Sequence, residues 1–382
     1  MKKRLSAATV LVAAGMVFLG SCPVCAGEFE DLNTRVEQLE ERVRKYEEGT
    51  NNSFSALGEK ITVGGAIELD YSYTNPKNIT DQNSDSTSDL DVGAVELGVE
   101  ARFHEWVTGN FIFKGENLDD NDRVFWDEVT ITIQKEGFPL YFVGGKRVQP
   151  FGVFNSHLIS DPITQDCYEI SRFGATVGFT PDFPGLYMSA TVYKGETLAD
   201  KVSEAGYGCE RDPNPNPDPT DDVSSYILNV SLASIEGLSI CVYYDSESGQ
   251  GGRNETIGGS VEYTIGPVTF DAEYITALNR EINATANKEY KESAWFAAIA
   301  CQVADPLEIA ARYEAFEDDI DGDQDGHLKN RCSIGANYTL FAKDNFSATL
   351  MIEYRRSYYE NAAGSTAHDR RNEIFTRVAV GF

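Results

Sequence analysis

The strongest constraint on this chain is a two-residue alternation of apolar and polar side chains that begins near Ile61 and recurs to Phe382. In "ITVGGAIELDYSY", Ile61, Val63, Gly65, Ile67, Leu69, Tyr71 and Tyr73 share one parity, while Thr62, Gly64, Ala66, Glu68, Asp70 and Ser72 share the other. Successive side chains of a strand point to opposite faces, so this pattern is a strand with one apolar face. Similar runs follow, among them "AVELGVEARF", "VTFDAEYIT", "LEIAARYEAF" and the closing "EIFTRVAVGF", and together they make about sixteen. In the last run Ile374, Thr376, Val378, Val380 and Phe382 form one row against Phe375, Arg377 and Ala379.

So many apolar faces need a common cover. The connections alternate in length: "KEGFP", "PDFPG", "ASIEG", "GP" and "ADP" are short, whereas 75–89, 117–123, 150–171, 195–222, 245–255, 277–292, 317–330 and 356–372 are long and polar. Short turns at one end and long loops at the other describe an outer-membrane barrel whose outward face meets lipid. A β-sandwich shows the same alternation. Against it, charge recurs on one parity along many strands, as in Glu96, Glu100 and Arg102, and aromatics gather near strand ends. The expected fold is all-β: an antiparallel transmembrane β-barrel of about 16 strands, preceded by a short α-helical coiled coil, in the outer membrane of a Gram-negative bacterium.

Residues 1–26 join a basic start to an apolar run too short to span a membrane, the form of a secretory signal peptide. "VCA" before Gly27 fits ordinary signal peptidase, while "LGSC" ending at Cys22 resembles a lipoprotein box; the boundary at 26 follows the first. In 28–48, Phe29, Leu32, Val36, Leu39, Val43 and Tyr46 form a heptad seam. With Phe29 at position a, parallel chains would bring Arg35 to Glu40 and Arg42 to Glu47 of a neighbour. This predicts a periplasmic coiled coil and a homo-oligomer; the alternative is an amphipathic helix lying on its own protein. Residues 49–60 form a polar linker, and 61–382 the barrel.

The formal net charge is −29, and loss of Lys2, Lys3 and Arg4 with the signal peptide takes it to −32. A nucleic-acid partner is excluded, because phosphate contact requires an excess of Lys and Arg. Outside the signal region Cys167, Cys209, Cys241, Cys301 and Cys332 lack CxxC spacing, so no metal site is indicated; Cys167 and Cys209 fall in loops where a disulfide is one option. "DIDGDQDG" places Asp321, Asp323 and Asp325 at the spacing of half an EF-hand loop, with Cys332 where the twelfth-position Glu would stand. A solvated acidic loop is the expectation, and weak Ca²⁺ binding that bridges lipopolysaccharide is the alternative. No other cofactor is expected. Ser156 and His157 are adjacent, so on an extended chain they point opposite ways, and no enzyme activity is expected.

The stretch Val143 to Phe179, "VGGKRVQPFGVFNSHLISDPITQDCYEISRFGATVGF", is the most distinctive. Gly145-Lys146, Pro150-Phe151-Gly152, Ile159-Ser160-Asp161-Pro162 and Glu169 resemble the pattern of the LbtU family of siderophore porins, whose order of signal peptide, coiled coil and barrel is also similar. The resemblance implies TonB-independent passage of a ferric siderophore through a plugless barrel. Read from the residues, 150–171 is the third long loop, the one that in sixteen-stranded porins folds inward. Pro150 fixes φ and Gly152 permits a bend, so the chain can turn into the lumen there. Asp161-Pro162 would turn it back; Phe154, His157, Leu158 and Ile159 form an apolar body, and Asp161, Asp166 and Glu169 an acidic edge. An ordinary surface loop is the alternative.

By parity the lumen carries Glu96, Glu100, Arg102, Lys114, Glu128, Glu308, Arg312, Glu314, Glu353 and Arg355, with acid in excess. Such a field favours cations or neutral polar solutes. The reading is a channel for iron-siderophore or similar small polar solutes; a general cation-preferring diffusion porin and a barrel-anchored tether are the alternatives. Phe382 reads as the signal recognised by the barrel assembly machinery.

Overall fold

Alternating strands hydrogen-bond side by side until the last one meets the first, which leaves no sheet edge in lipid. The computed structural model describes residues 60–77, 85–116, 118, 123–195, 198, 202, 222–249, 252–283, 288–318, 327–343, 345–360 and 369–382. The signal peptide, the coiled coil, linker residues 49–59, Cys209, and Asp321, Asp323 and Asp325 lie outside the described residues.

The strands are β1 (Ile61–Lys77), β2 (Thr87–His104), β3 (Val107–Glu116), β4 (Val124–Gln134), β5 (Leu140–Val148), β6 (Ser171–Phe179), β7 (Leu186–Lys194), β8 (Val223–Ile235) and β9 (Leu238–Ser248). After them come β10 (Arg253–Ile265), β11 (Val268–Asn279), the short β12 (Ile282–Asn283) and β13 (Lys288–Glu289), then β14 (Glu292–Ala304), β15 (Leu307–Asp318), β16 (Leu328–Lys343), β17 (Phe346–Tyr359) and β18 (Arg370–Gly381). All but β12 and β13 form one closed antiparallel barrel of sixteen strands, and those two make a hairpin between β11 and β14. Closure joins β1 to β18 in the register Ile67↔Val380, Leu69↔Val378 and Tyr71↔Thr376. Phe382 extends the seam through two backbone bonds with Gly65, at 3.0 and 3.1 Å.

The outward row is apolar and exposed: Ile67, Leu69, Leu97, Phe142, Val242, Ile299, Ile352 and Val380 all belong to it. The terminal row of the closing strand, including Phe382, is on this side. At the short-turn end Glu236-Gly237 and Gly266-Pro267 connect strands in two residues, and both glycines adopt positive φ, +75° and +57°, as tight hairpins require.

Two features differ from the sequence-based expectation. The connection expected over 245–255 shrinks to 249–252, because β9 and β10 run on through polar residues. Asp245, Ser246 and Glu247 of β9 and Asn254 of β10 are buried there, so the ladder continues among covered polar side chains after the alternation is lost. The connection between β5 and β6 also contains a helix, α1 (Ile163–Tyr168), where a simple turn was expected. Pro162, with φ −67°, sits immediately before its first residue, a placement that removes no helical hydrogen bond.

The main buried apolar cluster lies inside the barrel. Phe151, Ile163, Cys167, Tyr168 and Ile170 of the β5–β6 connection pack on Tyr243, Ile275, Ala294 and Phe316 of the wall.

Candidate channel lumen

Polar side chains of the inner row meet one another across neighbouring strands. Arg377 reaches Glu68 at 2.8 Å and Asp70 at 2.6 Å, and Lys114 reaches Glu96 at 3.2 Å and Glu116 at 2.6 Å. Asn110 donates to Glu128 at 3.0 Å, Arg147 to Thr176 at 3.1 Å, and Arg355 to Glu373 at 2.9 Å. These contacts place Glu96, Lys114, Glu128 and Arg355 on the inner face; Glu100 and Arg102 share the parity of Glu96 and are exposed.

The β5–β6 connection crosses this space. It leaves the wall at Gln149, whose backbone N–H donates to Ile170 O at 2.8 Å and whose side-chain amide donates to Arg172 O at 2.6 Å, holding the two ends of the segment together. Gly152 has φ +88°, and a Cβ there would lie 2.0 Å from the Phe154 ring, so only glycine fits the bend. Phe154 itself has φ +56°. Phe151 tucks under the bend, edge-on to Tyr243 with ring centroids 4.9 Å apart.

From there inner-row carboxylates take up the segment's donors one by one. Glu273 accepts the Val153 N–H at 2.7 Å and the hydroxyls of Thr164 and Tyr243, each at 2.6 Å. Asn155 donates to Glu262 at 2.6 Å and Asp271 at 2.9 Å. His157 lies between Asp271 at 3.0 Å and Glu308 at 3.4 Å, and its carbonyl accepts from Asn337 at 2.9 Å. The hydrogen bond to Asp271 raises the imidazole above its ordinary range despite the opposing effect of burial. Glu353 accepts the Ser160 N–H at 2.8 Å and its hydroxyl at 2.6 Å.

Carbonyls of the segment are held by two arginines. Arg312 donates to the carbonyls of Ser160 and Asp161 at 3.0 and 2.9 Å, and Arg331 donates to Asp161 O at 3.0 Å and to the Asp166 carboxylate at 2.9 Å. Glu314 stands between them, 2.6 Å from Arg331 Nε and 3.2 Å from Arg312 Nε, and accepts the Ile163 N–H at 2.6 Å.

This corrects the expected role of three inner-row residues. Arg312, Glu314 and Glu353 face inward, yet they are only 3, 0 and 1 % exposed and do not meet open water. The segment lies on top of them, and its unpaired backbone groups need their charges. The apolar body is likewise differently composed: Leu158 packs on Ala300 and Ala310, but Phe151, Ile163, Tyr168 and Ile170 bury more fully, and His157 is held by carboxylates. On the segment's free side Asp161 is exposed, with Asp166 and Glu169 half-buried, and Pro162 buried behind them.

Several residues that hold the segment had not been singled out in the sequence: Glu262, Asp271, Glu273, Arg331 and Asn337. The first three share the inner parity of their strands, as in "VTFDAEYIT", so the alternation that marked Glu308 would have found them. Arg331 and Asn337 follow from the register Glu314↔Arg331 and Glu308↔Asn337, which a single sequence does not display.

Comparison with known proteins gives a consistent picture. The family model described as Gram-negative porin matches residues 49–362. An anion-selective porin from Comamonas acidovorans has a similar fold, with a TM-score of 0.59 and 12% identity over 84% of this chain and 99% of that one. The outer membrane channel DcaP of Acinetobacter baumannii is similar too, with a TM-score of 0.59 and 11% identity over 84% and 96%. A curated relative, a UPF0422 protein of Coxiella burnetii, is 26% identical over 201 residues; the match covers 50% of this chain and 42% of that relative's length.

Proposed function

The chain belongs to the Gram-negative porin family, an outer-membrane channel for small solutes and not an enzyme, and from that premise we propose that residues 149–170 form its constriction and give it a preference for cations and neutral polar solutes. One observation carries this reading. The segment gives the Val153, Ser160 and Ile163 N–H groups to inner-row carboxylates and leaves Asp161 exposed and Glu169 half-buried on its free side, with Asp166 held by Arg331 between them. Beyond its anchored ends, the side-chain hydrogen bonds that hold it to the wall come from β8, β10, β11 and β14–β17, for instance the Asn229 amide of β8 donating to Pro150 O at 3.1 Å. Solute would then pass between this acidic edge and the arc of β1–β4, where Glu68, Asp70, Glu96, Glu100 and Glu128 outnumber Arg102 and Lys114. Acid on both sides of an aqueous path raises the local concentration of cations. The Comamonas neighbour is named anion-selective; the charge balance here argues for the opposite sign.

The finer reading is that the solute is a ferric siderophore taken without TonB. Its support is the resemblance at Pro150-Phe151-Gly152 and Ile159-Ser160-Asp161-Pro162, and the structure uses those residues as a bend and a helix start. Self-association through 28–48 belongs to the same proposal.

The decisive experiment shortens 155–167 and, separately, combines Asp161→Asn with Glu169→Gln. Shortening raises single-channel conductance in planar bilayers and admits larger sugars in liposome swelling. The double substitution moves the reversal potential in a KCl gradient towards the non-selective value. Unchanged conductance and reversal potential in folded variants would remove this segment from the pore, and ferric-siderophore uptake unchanged in a deletion strain would remove the siderophore. A barrel that inserts without conducting would leave the tether reading.

A further inference from the structure

The inner wall changes character towards the short-turn end. At mid-height the inner rows of β2–β4 carry Glu96, Lys114 and Glu128; at the rim β3 and β4 carry Thr108, Thr132 and Gln134 instead. Thr180, after β6, continues the row of the buried Thr176. The turns 105–106, 135–139 and 180–185 add Trp106, Phe138 and the carboxylates of Glu105, Glu136 and Asp182. Together these groups line one concavity of about 550 Å³, inside the range of roughly 300–1,000 Å³ usual for small-molecule sites.

The turns brace one another through the backbone. The Gln134 N–H donates to Trp106 O at 2.9 Å and the Thr180 N–H to Pro139 O at 2.7 Å, so three successive hairpin ends form one wall. Trp106 is edge-on to His104 with ring centroids 5.4 Å apart, and the Lys135 ammonium lies 4.8 Å from its ring. Among the described residues, the side chains of Thr108, Thr132, Gln134, Glu105, Glu136 and Asp182 make no hydrogen bond or ion pair. The site is shaped by its backbone, and its side-chain polar groups are free to meet a solute.

The lining discriminates between classes of solute. An anion meets three carboxylates against one lysine. A metal ion needs converging ligands, and no three carboxylate, imidazole or thiol groups among the described residues are placed to hold one. An organic ammonium would seek the Trp106 ring, where Lys135 already lies. A neutral polyhydroxylated solute can use the whole surface. Its hydroxyls donate to the carboxylates, accept from the Gln134 amide and do either with the threonines, while Phe138, 52% exposed, covers an apolar C–H face.

We propose that this periplasmic-rim pocket is a binding site for a neutral saccharide. Its place in transport rests on the solute path along β1–β4 proposed above, whereas occupancy of the pocket does not.

The chain has three tryptophans, and Trp126 and Trp295 do not line the pocket. Purified full-length protein carrying Trp126→Phe and Trp295→Phe therefore reports on the site through Trp106 alone. Titration with maltotriose in detergent should change its emission saturably, and glycerol at equal osmolality should not. Adding Thr132→Val with Gln134→Leu should weaken binding about tenfold, as the loss of two neutral hydrogen bonds does. Glu236→Gln, in the β8–β9 turn, should bind as the parent does. Heat-modifiable migration reports whether each variant is folded. In planar bilayers, maltotriose on the periplasmic side should interrupt the current of the unmodified channel, and Gln134→Leu alone should shorten each interruption several-fold; this arm needs no tryptophan variant. A flat titration together with an uninterrupted current overturns the proposal. So does a response that survives the substitutions, or displacement of the saccharide by millimolar tetramethylammonium, which would mark a site for organic cations. Saturable binding with an uninterrupted current supports the pocket and refutes the path along β1–β4.

Discussion

Replacing Glu314 with Leu tests whether inner-row charge holds the crossing segment in place. The carboxylate is completely covered, accepts from the Ile163 N–H and Arg331 Nε at 2.6 Å each, and lies 3.2 Å from Arg312 Nε. Removing one partner of a buried ion pair costs about 3–5 kcal/mol, because the other charge stays behind without compensation. Here the Arg312 guanidinium loses this carboxylate, Arg331 keeps only its pairing with the half-buried Asp166, and the first N–H of α1 loses its acceptor. Even the lower figure shifts a docked–undocked equilibrium on the order of 100-fold. The barrel ladder itself loses no backbone bond, so this cost falls on the segment and not on the wall. The expected outcome is a folded, heat-modifiable protein whose single-channel current is larger and noisier than the parent's. Glu314→Gln, which keeps an acceptor for the Ile163 N–H, should fall between the two. Combining Glu314→Leu with Arg331→Met should recover part of the loss, since apolar replacement of a buried pair is often close to neutral. A folded Glu314→Leu channel with the parent's conductance and noise would refute the idea that this carboxylate anchors the segment.

Three further outcomes follow from individual sites. Gly152→Ala places a Cβ 2.0 Å from the Phe154 ring at φ +88°, and should cost about 1–3 kcal/mol, seen as a lower unfolding temperature and increased channel noise; an unchanged transition would show that the bend relaxes freely. His157, whose affinity for a proton is raised chiefly by Asp271, stabilises the docked segment fully below the ordinary imidazole range and loses that contribution as pH rises through its elevated folded value. Current noise should therefore increase on moving upward from about pH 6.5, and His157→Phe should abolish the trend. Phe382→Ser removes a ring stacked 6.3 Å from Phe346 at the β1–β18 seam, and the yield of inserted barrel should fall much more than the conductance of the molecules that do insert; normal insertion at native expression would count against its role in assembly.

The barrel was legible because its determinants are local. Alternation along one strand fixes which side meets lipid, so the rows ending in Ile374, Val378 and Val380, or containing Ile67 and Leu69, could be assigned before any pairing was known. The position of each inward charge was legible for the same reason. What an inward charge touches was not. Glu308 and Glu96 look alike in sequence, yet one meets His157 of the crossing segment while the other pairs with Lys114 on the neighbouring strand. The difference comes from contacts more than a hundred residues apart, such as Val153 to Glu273 and Ser160 to Glu353. Periodicity carries no information about those pairs.

The segment's chemistry explains why the covered carboxylates had to be on the wall. A chain that leaves a barrel wall gives up its ladder, and every buried N–H it carries must find another acceptor or cost about 1–3 kcal/mol. Between Val153 and Thr164 the segment is too irregular to satisfy itself fully: Ser156 Oγ takes the Leu158 N–H and α1 makes its own backbone bonds, but the Val153 and Ser160 N–H groups and the first N–H of α1 go to carboxylates of the wall. Acceptors must then come from the wall, and they must be short of competing partners to hold N–H groups at 2.6–2.8 Å. Carboxylates on alternate positions of β11, β15 and β17 meet that need. Their charge is offset locally by Arg312 and Arg331, which in turn hold the carbonyls of Ser160 and Asp161. The inner-row acid therefore has two separate functions. Asp271, Glu273, Glu314 and Glu353 hold the crossing segment and are hidden from solute, whereas the acids of β1–β4 remain accessible, and it is these that the proposed constriction relies on for its field. Neutralising Glu96 or Glu128 should thus alter ion preference without loosening the segment, whereas neutralising Glu273 or Glu353 should loosen it first, and reversal potential against current noise separates the two.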